Sequence, residues 1–305
     1  MPIDPDLQNI LNLYRQLPPF DPSISVEEYR RNMNNVFEMI AKMSQEEVKK
    51  VEDRVIKGRN GDLRIRIYQQ SPDSPVLVYY HGGGFVLCNL ETHDGICRRI
   101  AKLSDATVVS VDYRLAPEHK FPSAVLDAYD ALKWVADHAE EIGVDKDKIF
   151  VAGDSAGGNL ATVASMIARD EGEEFVKGQI LVYPVVNLST FTPSKLEFGR
   201  RGILTEEIMA WFNRHYLNKP EEALDWRASP IYADLSNLPP ALIVTAEYDP
   251  LRDEGEMFGA LMRKMGSEAV TVRYNGMLHG FLNFYPIVRA GKELIAQIAG
   301  VLRTI

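Results

Sequence analysis

The sequence predicts an α/β fold, a mostly parallel sheet with helices on both faces, and three observations predict it. From about residue 75 onward, apolar strand-like runs alternate with helix-compatible stretches, the signature of β-α-β crossovers. Before them, residues 51–68 alternate with period two and read as a hairpin. Between a strand-like run and a helix-like stretch lies Gly153-Asp154-Ser155-Ala156-Gly157, whose two glycines let a very tight turn form without collision.

The totals suit this architecture. The chain has 305 residues, 46% hydrophobic and 25% charged, enough for one large α/β domain with an insertion or for two small domains. A net charge of −9 with no basic block argues against nucleic acid or an anionic membrane surface as partner. Met1-Pro2-Ile3-Asp4-Pro5-Asp6 carries no basic stretch leading into an apolar one, and no apolar run approaches a membrane span in length. A cytoplasmic location is the default expectation. Cys88 and Cys97 do not make a disulfide framework; they are expected as free thiols, with a local bridge as the alternative.

Residues 1–48 read as helical and outside the sheet. Leu7, Ile10, Leu11 and Tyr14 share one helix face, and Pro18-Pro19 end that helix. A second helix starts at Ser25, with Glu28 completing a capping box and Met33, Phe37, Ile40 and Met43 as its apolar stripe. The alternating segments 51–56 and 63–68 then flank Asn60-Gly61 as hairpin strands. The run Pro75–Tyr80 is a buried strand, ending in His81-Gly82-Gly83-Gly84-Phe85. A helix over about Asp94–Leu103, a strand over Thr107–Val111 and a long helix over about Pro122–Glu140 follow. Strand Ile149–Ala152 enters the tight turn, and a helix leaves it. Strand Gln179–Tyr183 closes this half. From Val185 to about Ala223 the strand pattern lapses, and a helix beginning at Thr205 carries Ile208, Met209, Trp211, Phe212 and Tyr216; this is an insertion. Alternation resumes with strand Ala241–Thr245, a helix from about Asp253, strand Val270–Tyr274 and a last helix over about Tyr285–Leu302.

Ser155, at the tip of a strained strand-to-helix turn, is a candidate nucleophile. It needs a base, a group to orient the base, and donors for a developing oxyanion. Of the six histidines (His81, His93, His119, His138, His215 and His279), only the last two follow Ser155, as the order Ser, acid, His requires. His215 falls inside a helix of the insertion. His279 falls in a loop just past a strand, where ligand chemistry collects in open α/β sheets. For the acid, Asp249 in the loop after Ala241–Thr245 is the first choice, with Glu247 and Asp253 as alternatives; an N-cap before Pro250 is the structural reading of Asp249. The donors are the backbone amides of Gly83, Gly84 and Ala156. The glycine run lacks the Lys-Ser/Thr of a phosphate loop, and His81 is expected to hydrogen-bond the loop itself.

The stretches His81–Gly84, Tyr113-Arg-Leu-Ala-Pro-Glu118, Gly153–Gly158, Asp249-Pro-Leu-Arg-Asp253 and His279-Gly280-Phe281 together resemble the hormone-sensitive-lipase-like carboxylesterases of the α/β-hydrolase superfamily, over about residues 51–305. The resemblance implies an eight-stranded α/β-hydrolase sheet under a helical cap. It divides the chain into cap (1–48), core (49–184), cap (185–223) and core (224–305). It implies Ser155, Asp249 and His279 as a triad, with Gly83, Gly84 and Ala156 as the oxyanion hole, and a cis bond at Ala116-Pro117 or Phe121-Pro122. It implies hydrolysis of short- to medium-chain acyl esters, small-molecule substrates, without metal or organic cofactor. It admits a homodimer, for which the sequence marks no patch. Phe37, Phe85, Trp211 and Phe212 are candidates for the acyl pocket, each equally at home in a core. A deacetylase or amidase would use the same residues; a non-catalytic ligand receptor on this fold typically lacks the histidine kept here at 279.

Overall fold

The computed structural model describes residues 2–16, 20–200 and 202–304. Pro18 and Pro19, expected to stop the first helix, lie outside them. Eight strands form one sheet: β1 (Lys50–Gly58), β2 (Gly61–Gln69), β3 (Ser74–Tyr80), β4 (Thr107–Asp112), β5 (Val144–Asp154), β6 (Val176–Val182), β7 (Ala241–Tyr248) and β8 (Ala269–Leu278). Their order is β1-β2-β4-β3-β5-β6-β7-β8. The β1–β2 and β2–β4 pairs are antiparallel and the rest parallel.

The chain moves outward from β3 to β4, then returns to place β5 on the other side of β3. That reversal is a topological switch point, where the loops leaving two neighbouring strands diverge and open a crevice at their carboxyl ends. The two loops concerned follow β3 and β5. They are the glycine run and the Ser155 turn.

Helices cover both faces: α1 (Pro5–Tyr14), α2 (Val26–Lys42), α3 (Leu90–Ser104), α4 (Ser123–Asp137), α5 (Ala139–Ile142), α6 (Ala156–Asp170), α7 (Pro193–Phe198), α8 (Glu206–Tyr216), α9 (Arg252–Lys264) and α10 (Arg289–Thr304). Period two along β5 shows how the core divides. Ile149 and Val151 join the cluster under α4 and α6, while Phe150 and Ala152 join the one under α3 and α10. Leu7, Leu11 and Ile40 of α1 and α2 extend the second cluster. Each such side chain, fully buried, contributes roughly 1.5–3 kcal/mol.

Several boundaries differ from the sequence reading, for local reasons. The hairpin loop is Arg59-Asn60, and Gly61, at φ 122°, already opens β2 opposite Gly58. α3 begins four residues earlier than periodicity marks it, because Asn89 and Thr92 form a reciprocal capping box. The long helix breaks at His138, whose ring stacks on Trp134 at 4.5 Å. Ahead of α10, residues Phe281–Phe284 form a tighter 3-10 turn, so the final helix starts at Arg289. On α2, Ser25 accepts the Glu28 amide at 3.2 Å, one half of the expected capping box, and Met43, at the C-cap, is 59% exposed and leaves the stripe.

Both Ala116-Pro117 and Phe121-Pro122 are cis. Cys88 and Cys97 are free and buried. No described helix is long and apolar enough to cross a membrane.

Candidate active site

Ser155 sits between β5 and α6 with φ 54° and ψ −116°, a conformation that costs on the order of 1–3 kcal/mol and must be held by its surroundings. Its amide donates to the Val182 carbonyl at 2.8 Å. The flanking glycines are required by contact. A Cβ on Gly157 would lie 1.9 Å from the Tyr80 carbonyl oxygen, and one on Gly153 would lie 2.3 Å from the Gly157 backbone. No side chain fits at either position.

The loops after β7 and β8 deliver the other two groups. His279 Nδ1–H donates to Asp249 Oδ2 at 2.8 Å. That fixes the tautomer and leaves Nε2 to accept from the Ser155 hydroxyl at 3.0 Å. Asp249 is fully buried. Its second oxygen accepts the Leu251 amide at 2.8 Å, so it caps the turn into α9 and orients the imidazole at once; the two readings of Asp249 coexist. Glu247 instead accepts the Gly276 amide and Asp253 the Ser194 amide, each at 2.7 Å. His215 packs on Trp211 within α8.

The glycine run faces this group. Gly83 and Gly84 have φ 108° and 61°. A Cβ on Gly84 would meet the Phe212 ring at 2.4 Å and one on Gly83 the Leu87 carbonyl oxygen at 2.3 Å. Among the described residues, none accepts from the amides of Gly83, Gly84 or Ala156; Ala156 is the first residue of α6, where an amide has no intrahelical partner. A hydroxyl deprotonated by a neutral imidazole, beside three free amides, can add to a carbonyl carbon and leave the oxyanion stabilised.

Beneath the serine lies a polar network the sequence did not announce. Asp154, fully buried next to the candidate nucleophile, accepts from the Tyr79 hydroxyl at 2.8 Å and the Gly82 amide at 3.0 Å. It also lies 3.2 Å from His93 Nε2, and the Asn283 amide donates to it at 3.4 Å. Burial pushes its pKa up, but the His93 ring and these hydrogen bonds outweigh burial and hold it at about 2. The only signal in the sequence was an acid at the last position of a central strand.

His81 does hydrogen-bond its own loop, donating Nδ1–H to the Gly82 carbonyl at 2.7 Å, and it stacks on Tyr113 at 4.3 Å. Burial first, and His93 second, lower its pKa to about 3. The unfolded chain takes up this proton near the ordinary ~6.5, so between about pH 6.5 and pH 3 the unfolded state binds more protons and stability is lost as pH falls. A His81→Asn variant lacks that dependence. Between pH 7 and pH 5 the wild-type protein is expected to lose about 2 kcal/mol more than the variant. Urea midpoints at the two pH values measure this, and equal losses would remove His81 as the cause.

A cavity of about 260 Å³ opens over Ser155 and His279. Its walls come from α2 (Tyr29, Met33, Phe37), from residues 185–191 and from α8. Of the four aromatic candidates, Phe37, Phe85 and Phe212 line it. Trp211 does not, and the expectation for it is corrected. It is fully buried against Phe20, Tyr29 and His215, because neighbours on a helix point about 100° apart and Phe212 takes the cavity side. Tyr183, with φ 35°, puts its ring 4.8 Å from His279. Among the described residues, no group of three or more His, Cys, Asp or Glu is placed to hold a metal ion.

Comparison with known proteins bears on the fold and the family. A family model described as the alpha/beta hydrolase fold matches residues 77–283. An arylesterase of Saccharolobus solfataricus is 36% identical over 311 positions, spanning 100% of this chain and 99% of that protein. A carboxylic ester hydrolase of Mycobacterium tuberculosis is 44% identical over 263 positions, 83% of this chain and 70% of that one. Among solved structures, a hyperthermophilic esterase from the archaeon Pyrobaculum calidifontis superposes with a TM-score of 0.98 at 54% identity, covering 100% of this chain and 99% of that one.

Proposed function

Since the chain belongs to the α/β-hydrolase fold family, in its hormone-sensitive-lipase-like branch, and is a serine carboxylic-ester hydrolase, we propose that it cleaves short- to medium-chain acyl esters through Ser155, His279 and Asp249. The reading is carried by one observation: hydroxyl, imidazole and carboxylate stand in a line of hydrogen bonds of 3.0 and 2.8 Å.

In the first step His279 Nε2 takes the hydroxyl proton as Ser155 Oγ bonds to the ester carbonyl carbon. Asp249 Oδ2 stabilises the imidazolium that forms. The carbonyl oxygen becomes an oxyanion, held by the Gly83, Gly84 and Ala156 amides, each worth about 3 kcal/mol in the transition state. Collapse expels the alcohol, which takes the proton from His279, and leaves an acyl group on Ser155. Water, deprotonated by His279, then repeats the sequence and releases the acid.

Residues 1–48 and 185–223 act as the cap, and their contribution to the cavity wall is what would set acyl preference. Length preference follows from volume. About 260 Å³ is below the roughly 300–1,000 Å³ of pockets that take drug-sized ligands. A p-nitrophenyl ester series from acetyl to palmitoyl is expected to give its highest kcat/KM between butanoyl and octanoyl. An alkyl phosphonate should leave one adduct per chain, on Ser155. A maximum at palmitoyl would sink the substrate class, and an adduct elsewhere the nucleophile.

A further inference from the structure

The loop from Gly83 to Cys88 is held in an unusual shape. Gly83, Gly84, Phe85 and Cys88 all have positive φ, of 108°, 61°, 64° and 71°. Two of these are not glycine, and such backbone persists only where its surroundings over-determine it. The loop's own hydrogen bonds do little of that work. The Val86 and Leu87 amides both turn back to the Gly83 carbonyl, at 3.1 and 2.8 Å.

The rest comes from outside, and much of it from one helix that precedes the hydrolase core in sequence. On α2, Arg30 donates Nε–H to the Val86 carbonyl at 2.7 Å and an Nη2–H to the Ala116 carbonyl at 2.8 Å. The Ala116 amide in turn donates to the Phe85 carbonyl at 2.9 Å. One turn along α2, Asn34 Oδ1 accepts the Cys88 amide at 2.9 Å. Positions four apart share a helix face, so both side chains reach the loop together. Arg30 is itself fixed by a two-point pair with Glu118 at 2.8 and 2.9 Å, a geometry that only a planar guanidinium supplies. At the other end of the loop, Asp154 grips the Gly82 amide.

We propose that Arg30 and Asn34 are positioning residues for the oxyanion loop, which makes α2 part of the catalytic apparatus and not only a wall of the cavity. The inference rests on the reading of Gly83 and Gly84 as oxyanion donors. Such donors act only at about 2.7–3.1 Å from the oxyanion, and a shift of about 1 Å can lower a rate ~100-fold. Neither Arg30 nor Asn34 lines the cavity, so ground-state binding of the ester is left alone.

The test compares wild type with Arg30→Ala, Arg30→Lys, Asn34→Ala and Asn34→Asp on p-nitrophenyl butyrate. The alanine variants are expected to lose kcat about 10- to 100-fold with KM nearly unchanged. Their affinity for an alkyl trifluoromethyl ketone should fall by a similar factor, since its adduct with Ser155 carries an oxyanion. Arg30→Lys, unable to span two carbonyls, should stay impaired, while Asn34→Asp, which keeps the acceptor, should recover. Added guanidinium should partly restore Arg30→Ala, a response that misfolded protein does not give. Unchanged kcat and ketone affinity in both alanine variants would overturn the inference, as would losses that follow KM or thermal stability alone. Phosphonate labelling separates the two levels. If wild-type Ser155 takes no label, the reading of the site is wrong; if it labels in every variant and kcat does not move, only the role of α2 falls.

Discussion

Ser155→Ala is expected to lower kcat on p-nitrophenyl butyrate by on the order of 10⁶ and to leave the fold intact. The size follows from how such groups work together. On the proposed mechanism, with the hydroxyl gone, His279 and Asp249 have no nucleophile to activate, so their contribution vanishes with that of Ser155, and only binding and the oxyanion amides remain. Stability should hardly change. Alanine keeps the Cβ that the turn already accommodates at φ 54°, and the amide bond to Val182 is retained. Among the described residues, the one hydrogen bond lost is that of 3.0 Å to His279, whose Nε2 faces the cavity and can meet water instead. Thermal melting and steady-state kinetics on the same preparation read both halves. A variant keeping more than about a hundredth of the turnover would show that another group attacks the ester, since loss of a true nucleophile costs far more.

The parts of this protein that the sequence announces are those where local geometry restricts composition. Gly153 and Gly157 are written into the chain because no Cβ fits beside the Tyr80 and Gly157 backbone. His279 and Asp249 are legible because a parallel sheet brings successive loops to one rim, so chain order and a position past a strand suffice to nominate them. What stayed hidden depends on rotation or on distance along the chain. Trp211 and Phe212 are adjacent in a helix, and nothing in composition says which of them turns to the cavity. Asp154 meets His93 and Asn283 across 61 and 129 residues, and Arg30 meets Val86 across 56; no period or motif encodes such pairings. Lys195 is the sharpest case. A lysine in an insertion reads as solvated surface, yet this one is 8% exposed.

Lys195→Met is expected to destabilise the protein by about 3–5 kcal/mol near pH 8, the range for breaking a buried ion pair by removing one partner. Lys195 Nζ lies 2.5 Å from Glu254 Oε2 and also donates to the Asn187 and Thr190 carbonyls at 2.7 and 3.1 Å. Glu254, fully buried at the start of α9, accepts the Val186 and Asn187 amides on its other oxygen at 2.9 and 3.1 Å. The pair thus ties the cavity-lining segment 185–191 to the helix that follows Asp249. Burial raises the Glu254 pKa, with Lys195 the largest opposing influence. Without the ammonium, the folded variant takes up a proton at a pH where the unfolded chain, titrating near ~4.3, does not. The native state then binds more protons, so the deficit of Lys195→Met shrinks as pH falls toward about 5. Adding Glu254→Gln removes the stranded charge and should recover most of the loss near pH 8, and it should abolish the pH effect, which is larger in the single variant than in wild type. Urea unfolding of wild type, single and double variants near pH 8 and near pH 5 decides it. A deficit below about 1 kcal/mol, in the range of exposed pairs, would mean that water reaches Glu254. A deficit that ignores pH would mean that the lost hydrogen bonds of Lys195, not the stranded carboxylate, carry the effect.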